Sequence, residues 1–223
     1  MAVICAQICK VFKSNLEKQF QQFLILGPEK SGKTTLLYRL KFGKNWHDMS
    51  KDLELMRNEW KDDDWDAGFH YEEYSMMSNC GVWDIPAHLS QVVNTWYNSL
   101  LIHGVFFVVD ANDTDPQRIL EARNALHRLM NEDALRKAAF AVIINKRYDK
   151  AQPTDDPKEK HPLHYRLGLH DVHDSCSWRV QAFVLDVDGL NGERDNAWHP
   201  VVVHMKTVLE RSSGLHFTDS DYA

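Results

Sequence analysis

The chain has 223 residues, 43% hydrophobic and 26% charged, a balance that suits one soluble domain and excludes a disordered chain. Its net charge of −6, from 26 Lys and Arg against 32 Asp and Glu, argues against a nucleic-acid partner, because phosphate-backbone binders carry basic surfaces. The cysteines Cys5, Cys9, Cys80 and Cys176 lack metal-ligand spacing and read as reduced thiols, which points to the cytoplasm.

Taken in chain order, residues 1–20 place Val3, Ile4, Ile8, Val11, Phe12 and Leu16 on one helical face. Ala2 stands where N-myristoylation requires glycine, and Ser220-Asp-Tyr-Ala223 carries no prenylation cysteine. Cys5 and Cys9 lie together at i and i+4 and are candidates for S-acylation. A weak amphipathic face alone binds membranes poorly, so the N-terminal helix is expected either to make weak peripheral membrane contact or to pack on protein.

Residues 23–26 read as a buried strand and 33–42 as a helix, with a glycine-bearing turn between them. Residues 45–66 are acidic, carry Trp46, Trp60, Trp65 and Asp62-Asp63-Asp64, and read as a surface loop with short helices at most. Residues 71–77 and 80–83 read as a β-ribbon around Ser78-Asn79, and 105–110 as the next buried strand. Asp115-Pro116 opens an amphipathic helix over 116–130, apolar at Ile119, Ala122, Ala125, Leu126 and Leu129. A strand follows over 140–144, then a loop over 147–165 with Pro153, Pro157 and Pro162, a strand over 180–185 and a helix over about 197–211. This alternation predicts an α/β fold with a largely parallel sheet.

The strongest chemical signal is Gly27-Pro-Glu-Lys-Ser-Gly32-Lys33-Thr34, which fits G-x-x-x-x-G-K-[ST] between a strand and a helix. Glycines let backbone N–H groups turn inward around a phosphate chain, and the helix N-terminus adds its positive end. Lys33 would span the β- and γ-phosphates, and the Thr34 hydroxyl would ligate Mg²⁺. The cradle is expected to involve Gly27, Glu29, Lys30, Ser31, Gly32, Lys33, Thr34 and Thr35.

Beyond this loop, Trp83-Asp84-Ile85-Pro86-Ala87-His88 resembles the W-D-x-G-G-Q motif of the Arf and Arf-like small GTPases. Further matches keep that family's order: Gly68-Phe69, Phe107-Val-Val-Asp110-Ala-Asn-Asp113, Asn145-Lys146, Leu167-Gly-Leu-His170, Trp178-x-x-Gln181 and Asp188-Gly-Leu190. The resemblance covers about residues 20–211. It implies a P-loop NTPase fold of the small-GTPase type: a three-layer α/β sandwich with a mostly parallel six-stranded sheet, and GTP or GDP with Mg²⁺ as cofactors. It implies that Asp84 holds the Mg²⁺ water shell, that the Ala87 N–H faces the γ-phosphate, and that Asn145, Lys146 and Leu185 lie against the base. His88 stands where the family has a water-orienting glutamine, either as a catalytic group or as a solvent-facing loop residue.

Departures from the pattern carry equal weight. Pro86-Ala87 replaces Gly-Gly, and Pro86 fixes its own φ, which stiffens the switch. Asp66 stands at the threonine that closes on Mg²⁺ in the first switch. The asparagine motif reads Asn145-Lys146-Arg147-Tyr148-Asp149, one residue longer than N-K-x-D. Asp149 reaches guanine through a bulge, or Tyr148 stands near the base and it is not read; GTP is favoured over ATP by resemblance.

The expected organisation is an N-terminal helical extension over 1–20, a GTPase domain over 21–212 with an inserted first switch at about 45–66, and a tail over 213–223. The expected function is a nucleotide-dependent molecular switch with slow GTP hydrolysis. The alternative is a pseudo-GTPase serving as an interaction scaffold. Effector or scaffold proteins are expected to dock on the first-switch insertion together with Phe69 and Trp83, whose family counterparts form an apolar patch.

Overall fold

The computed structural model describes residues 20–51, 69–75, 79–87, 100–146 and 161–213. Four strands are near-continuous apolar runs, the pattern of parallel strands covered on both faces. These are β1 (Gln21–Leu26), β3 (Cys80–Asp84), β4 (Gly104–Asp110) and β5 (Ala139–Asn145). Every residue of β5 is buried. With β2 (His70–Tyr74) and β6 (Val180–Leu185) they form a six-stranded sheet in the order β2-β3-β1-β4-β5-β6. Only the β2–β3 pairing in that sheet is antiparallel.

Helices cover both faces, so the sheet is the middle of three layers. On one face, α2 (Pro116–Met130) buries Ile119, Ala122, Leu126, Leu129 and Met130 against Leu24, Val105, Phe107 and Val142. On the other, α1 (Lys33–Phe42) and α5 (His199–Ser213) bury Leu36, Leu37, Leu40, Val201 and Met205 against Phe23, Ile25, Phe106 and Ile143. Trp198 is fully buried there, its ring 5.4 Å from that of Phe106. This is the expected small-GTPase architecture.

The helix at 116–130 has the limits that the sequence predicts, because Asp115 accepts a hydrogen bond from the Gln117 N–H at 2.9 Å with Pro116 in the first turn. The last helix starts later than residue 197, since Asp195 caps the preceding turn through Ala197. Short helices α3 (Pro162–Arg166) and α4 (Asp174–Ser177) fall below the length at which periodicity is legible.

Two tryptophan expectations meet the structure differently. Trp46, at the start of the insertion, stacks on Tyr38 of α1 with ring centroids 4.4 Å apart, so it pins the loop to the domain. Trp83 is a correction: expected on an open patch, it is only 4% exposed. Its indole N–H donates to Gln22 Oε1 at 2.8 Å, and Tyr71 and Phe69 lie against its ring. An indole with its N–H partnered and its ring covered is a core residue. Trp60, Trp65, Asp66 and the 1–19 extension lie outside the described residues. Among the described residues, no helix is long and apolar enough to cross a membrane.

Candidate nucleotide and metal site

Parallel registers bring the carboxyl ends of five strands to one edge: Ile25 pairs with Asp84, Leu26 with Phe107, and Asn145 with both Asp110 and Leu185. Open α/β sheets bind ligands at this edge. The loop after β1 crosses it and delivers the chain into α1.

Three positive φ angles shape that loop: Gly27 at 142°, Lys30 at 60° and Gly32 at 101°. A Cβ on Gly27 would lie 2.1 Å from the Val108 carbonyl oxygen, and one on Gly32 would lie 2.4 Å from Asn145 Nδ2. Both positions therefore exclude any side chain on contact as well as on φ. Left-handed residues among right-handed ones turn successive N–H groups to one side, which makes an anion-binding nest.

Lys33 is buried, and its ammonium donates to the Gly27 and Pro28 carbonyls at 3.1 and 2.7 Å, so its charged end lies across the loop. Burial lowers its pKa from the usual lysine value, while Asp84 and Glu29 act against that shift. Thr34 donates its hydroxyl to Asp84 Oδ2 at 2.6 Å, joining the first turn of α1 to the end of β3.

Asp84 is 2% exposed, and its Oδ1 has no hydrogen-bond partner among the described residues. Burial raises its pKa above the ordinary carboxylate value, and the Thr34 hydroxyl, Lys33 and His70 pull it back only in part. A buried carboxylate with an orphaned oxygen, next to a threonine hydroxyl, is a hard oxygen donor set of the kind Mg²⁺ takes. These residues fit the metal: Thr34 would ligate it directly and Asp84 through its water shell.

The raised pKa has a consequence for stability. Asp84 holds its proton more tightly folded than unfolded, so metal-free stability falls as pH rises from the unfolded pKa through the folded one. Asp84→Asn removes that cost. It is expected to raise the metal-free melting temperature near neutral pH, by about 2–4 °C for about 1 kcal/mol in a domain of this size. The same change should abolish stabilisation by added Mg²⁺. Thermal melts with and without Mg²⁺ check both; a lower metal-free melting temperature would contradict the assignment.

Asn145 is 1% exposed and faces inward. Its Nδ2 donates to the Ser31 carbonyl at 3.0 Å, and its Oδ1 accepts from the Val187 N–H at 3.2 Å. It thus ties the phosphate loop to the loop after β6. Lys146 follows, its N–H on the Leu185 carbonyl at 2.7 Å, so Lys146 and Leu185 line one end of the edge. Ser31 is buried, Glu29 and Lys30 are exposed, and Thr35 is half-buried in α1.

Pro86 and Ala87 face Pro28 and Glu29 across a pocket of about 340 Å³ that continues under α2 to Ala122 and Leu129. Of the expected site residues, the fold brings together Gly27, Glu29, Lys30, Ser31, Gly32, Lys33, Thr34, Thr35, Asp84, Ala87, Asn145, Lys146 and Leu185. His88, Tyr148 and Asp149 lie outside the described residues. Sequence reading missed Arg118, whose guanidinium reaches the Glu29 carbonyl at 2.9 Å. The only signal for it was its place in the first turn of a helix whose cap is legible.

The ADP-ribosylation factor family model matches residues 7–195 of the chain.

Proposed function

The chain belongs to the ADP-ribosylation factor family, and from that premise we propose that it is a slow-hydrolysing molecular switch rather than an efficient GTPase. Family membership makes it a GTP-binding regulatory small GTPase; such proteins bind GTP or GDP with Mg²⁺ and act through effectors and regulators. What supports the finer reading is that the residues expected to hold phosphate and metal are present while the second switch is altered. Thr34 donates to Asp84, and the Lys33 ammonium, held on the Gly27 and Pro28 carbonyls, acts on the Asp84 carboxylate through charge, whereas Pro86-Ala87 replaces Gly-Gly in the second switch.

In this reading the loop N–H groups and Lys33 hold the phosphate chain. Mg²⁺, when bound, would neutralise charge on the phosphates. Thr34 and Asp84 would hold it, and Asn145, Lys146, Leu185 and Asp149 would serve the base. His88 orients the attacking water. With Asp66 in place of the threonine, the first switch carries a carboxylate where the family has the hydroxyl that closes on Mg²⁺. Catalysis in this class is positioning and charge stabilisation, so misplaced groups slow it without abolishing binding.

Effectors then read the first-switch insertion and Phe69, with Trp83 acting from beneath as support. Weak peripheral membrane contact belongs to the N-terminal segment.

The first test is mass analysis of the nucleotide released from purified protein. GDP or GTP is expected; a consistent adenine nucleotide would sink the guanine assignment. An empty protein that also fails to take up GTP with Mg²⁺ would favour the scaffold reading, which Pro86 supports. Hydrolysis is the second. In single turnover at saturating Mg²⁺, the rate should fall at least about 10³-fold below that of an activator-stimulated GTPase, the scale that positioning groups command in this class. A rate within tenfold of it would refute slow hydrolysis.

A further inference from the structure

Arg118 sits in the first turns of α2, remote in sequence from the phosphate loop, yet its side chain ends on that loop. Its Nη2 donates to the Glu29 carbonyl at 2.9 Å, while its Nε donates to Asp113 Oδ2 at 2.7 Å. Asp113 is itself held: its Oδ1 accepts from the Asp115 N–H at 3.1 Å, and its N–H donates to the Asp110 carbonyl at 3.2 Å. Asp115 in turn caps α2. The guanidinium therefore spans from the end of β4 to the phosphate loop in one fixed pose, with its planar fork divided between a carboxylate and a carbonyl.

The carbonyl it takes belongs to the peptide just before the strained residue of the loop. Lys30 has φ 60°, a left-handed conformation that a side chain with a Cβ rarely adopts. In a trans peptide the C=O and the next N–H point in opposite directions. Fixing the Glu29 carbonyl toward α2 aims the Lys30 N–H the other way, into the loop. Held by Arg118, that carbonyl stays outward, which works against relaxation of Lys30 toward ordinary φ and the turning away of its N–H.

We propose that Arg118 is a positioning residue for the nucleotide: clamped by Asp113, it holds the Glu29–Lys30 peptide in the flipped orientation that presents the Lys30 N–H to the phosphates. The inference rests on the guanine-nucleotide reading of the site. Arg118 acts through the backbone and touches no part of the nucleotide. Its side chain is 41% exposed, so its removal should leave the fold intact while loosening the loop.

The experiment is dissociation of N-methylanthraniloyl-GDP from the full chain with Mg²⁺, followed by stopped flow beside thermal melts. Arg118→Ala is expected to speed release about tenfold, the size of one charged hydrogen bond, with a melting temperature close to wild type. Asp113→Asn should do the same, and it keeps the test open if the first variant fails to fold.

Lys30→Gly separates this role from a general structural one, because glycine adopts the left-handed conformation without strain. In the Lys30→Gly background, Arg118→Ala should change release by less than about twofold, the non-additivity expected of coupled neighbours. Wild-type release from Arg118→Ala and Asp113→Asn overturns the proposal, as does full additivity with Lys30→Gly. A wild-type protein that binds no N-methylanthraniloyl-GDP overturns the guanine-nucleotide reading itself, an outcome distinct from either.

Discussion

Lys33→Ala is expected to abolish measurable binding of GDP and GTP. The ammonium is buried in the loop with both its observed hydrogen bonds on loop carbonyls. A phosphate chain placed there would meet a desolvated positive charge at close range. Removing one partner of a buried, hydrogen-bonded charge pair costs about 2–5 kcal/mol or more. The same substitution relieves the burial that lowers the Lys33 pKa but strips the Gly27 and Pro28 carbonyls of their donor, so the nucleotide-free domain should melt within about 4 °C of wild type. Titration calorimetry of nucleotide-free protein measures the first effect and a thermal melt the second. Binding within threefold of wild type would show that the phosphate chain lies elsewhere.

Asn145→Ala carries the second large effect, and it falls on the fold as well as on the base. The side chain satisfies one buried acceptor and one buried donor, the Ser31 carbonyl and the Val187 N–H. Each buried group left without a partner costs about 1–3 kcal/mol, so the apo domain should lose about 2–6 kcal/mol. Denaturant unfolding of nucleotide-free protein reads this directly. An unchanged midpoint in apo protein, with weakened nucleotide affinity, would confine Asn145 to base contact and remove its structural role.

The features legible in the sequence are those that local chain physics dictates. Gly27 and Gly32 are required by φ angles of their own loop, and the motif spacing announces them. Asp115-Pro116 starts α2 because a cap and a fixed φ act on adjacent residues. The buried strands β4 and β5 declare themselves as unbroken apolar runs. Asp84 and Asn145 were legible as members of ordered motifs, and the sheet registers bring both to the edge where the phosphate loop lies.

Other features depend on contacts between residues far apart in the chain, which no periodicity encodes. Trp83 reads as a surface anchor by family analogy, yet Gln22 on the neighbouring strand supplies its hydrogen-bond partner and Tyr71 its cover. Trp46 reads as part of an acidic loop, yet the face of α1 offers Tyr38 at stacking distance. Asn145 reads as a base contact, but only the approach of the loop after β6 makes it a strut between two loops.

Arg118 shows the division most clearly. In sequence it is one arginine among charged residues on an exposed helix face, and nothing local marks it. The crossing of α2 past the phosphate loop places its guanidinium on the Glu29 carbonyl, beside a lysine in a left-handed conformation. The sequence alone determined the phosphate loop, the order of the strands and the longer helices, and so the α/β class, because these follow from steric and hydrophobic preferences of neighbouring residues. The tertiary structure alone decided which polar groups are buried together and which aromatic rings are covered, because those depend on how the layers pack.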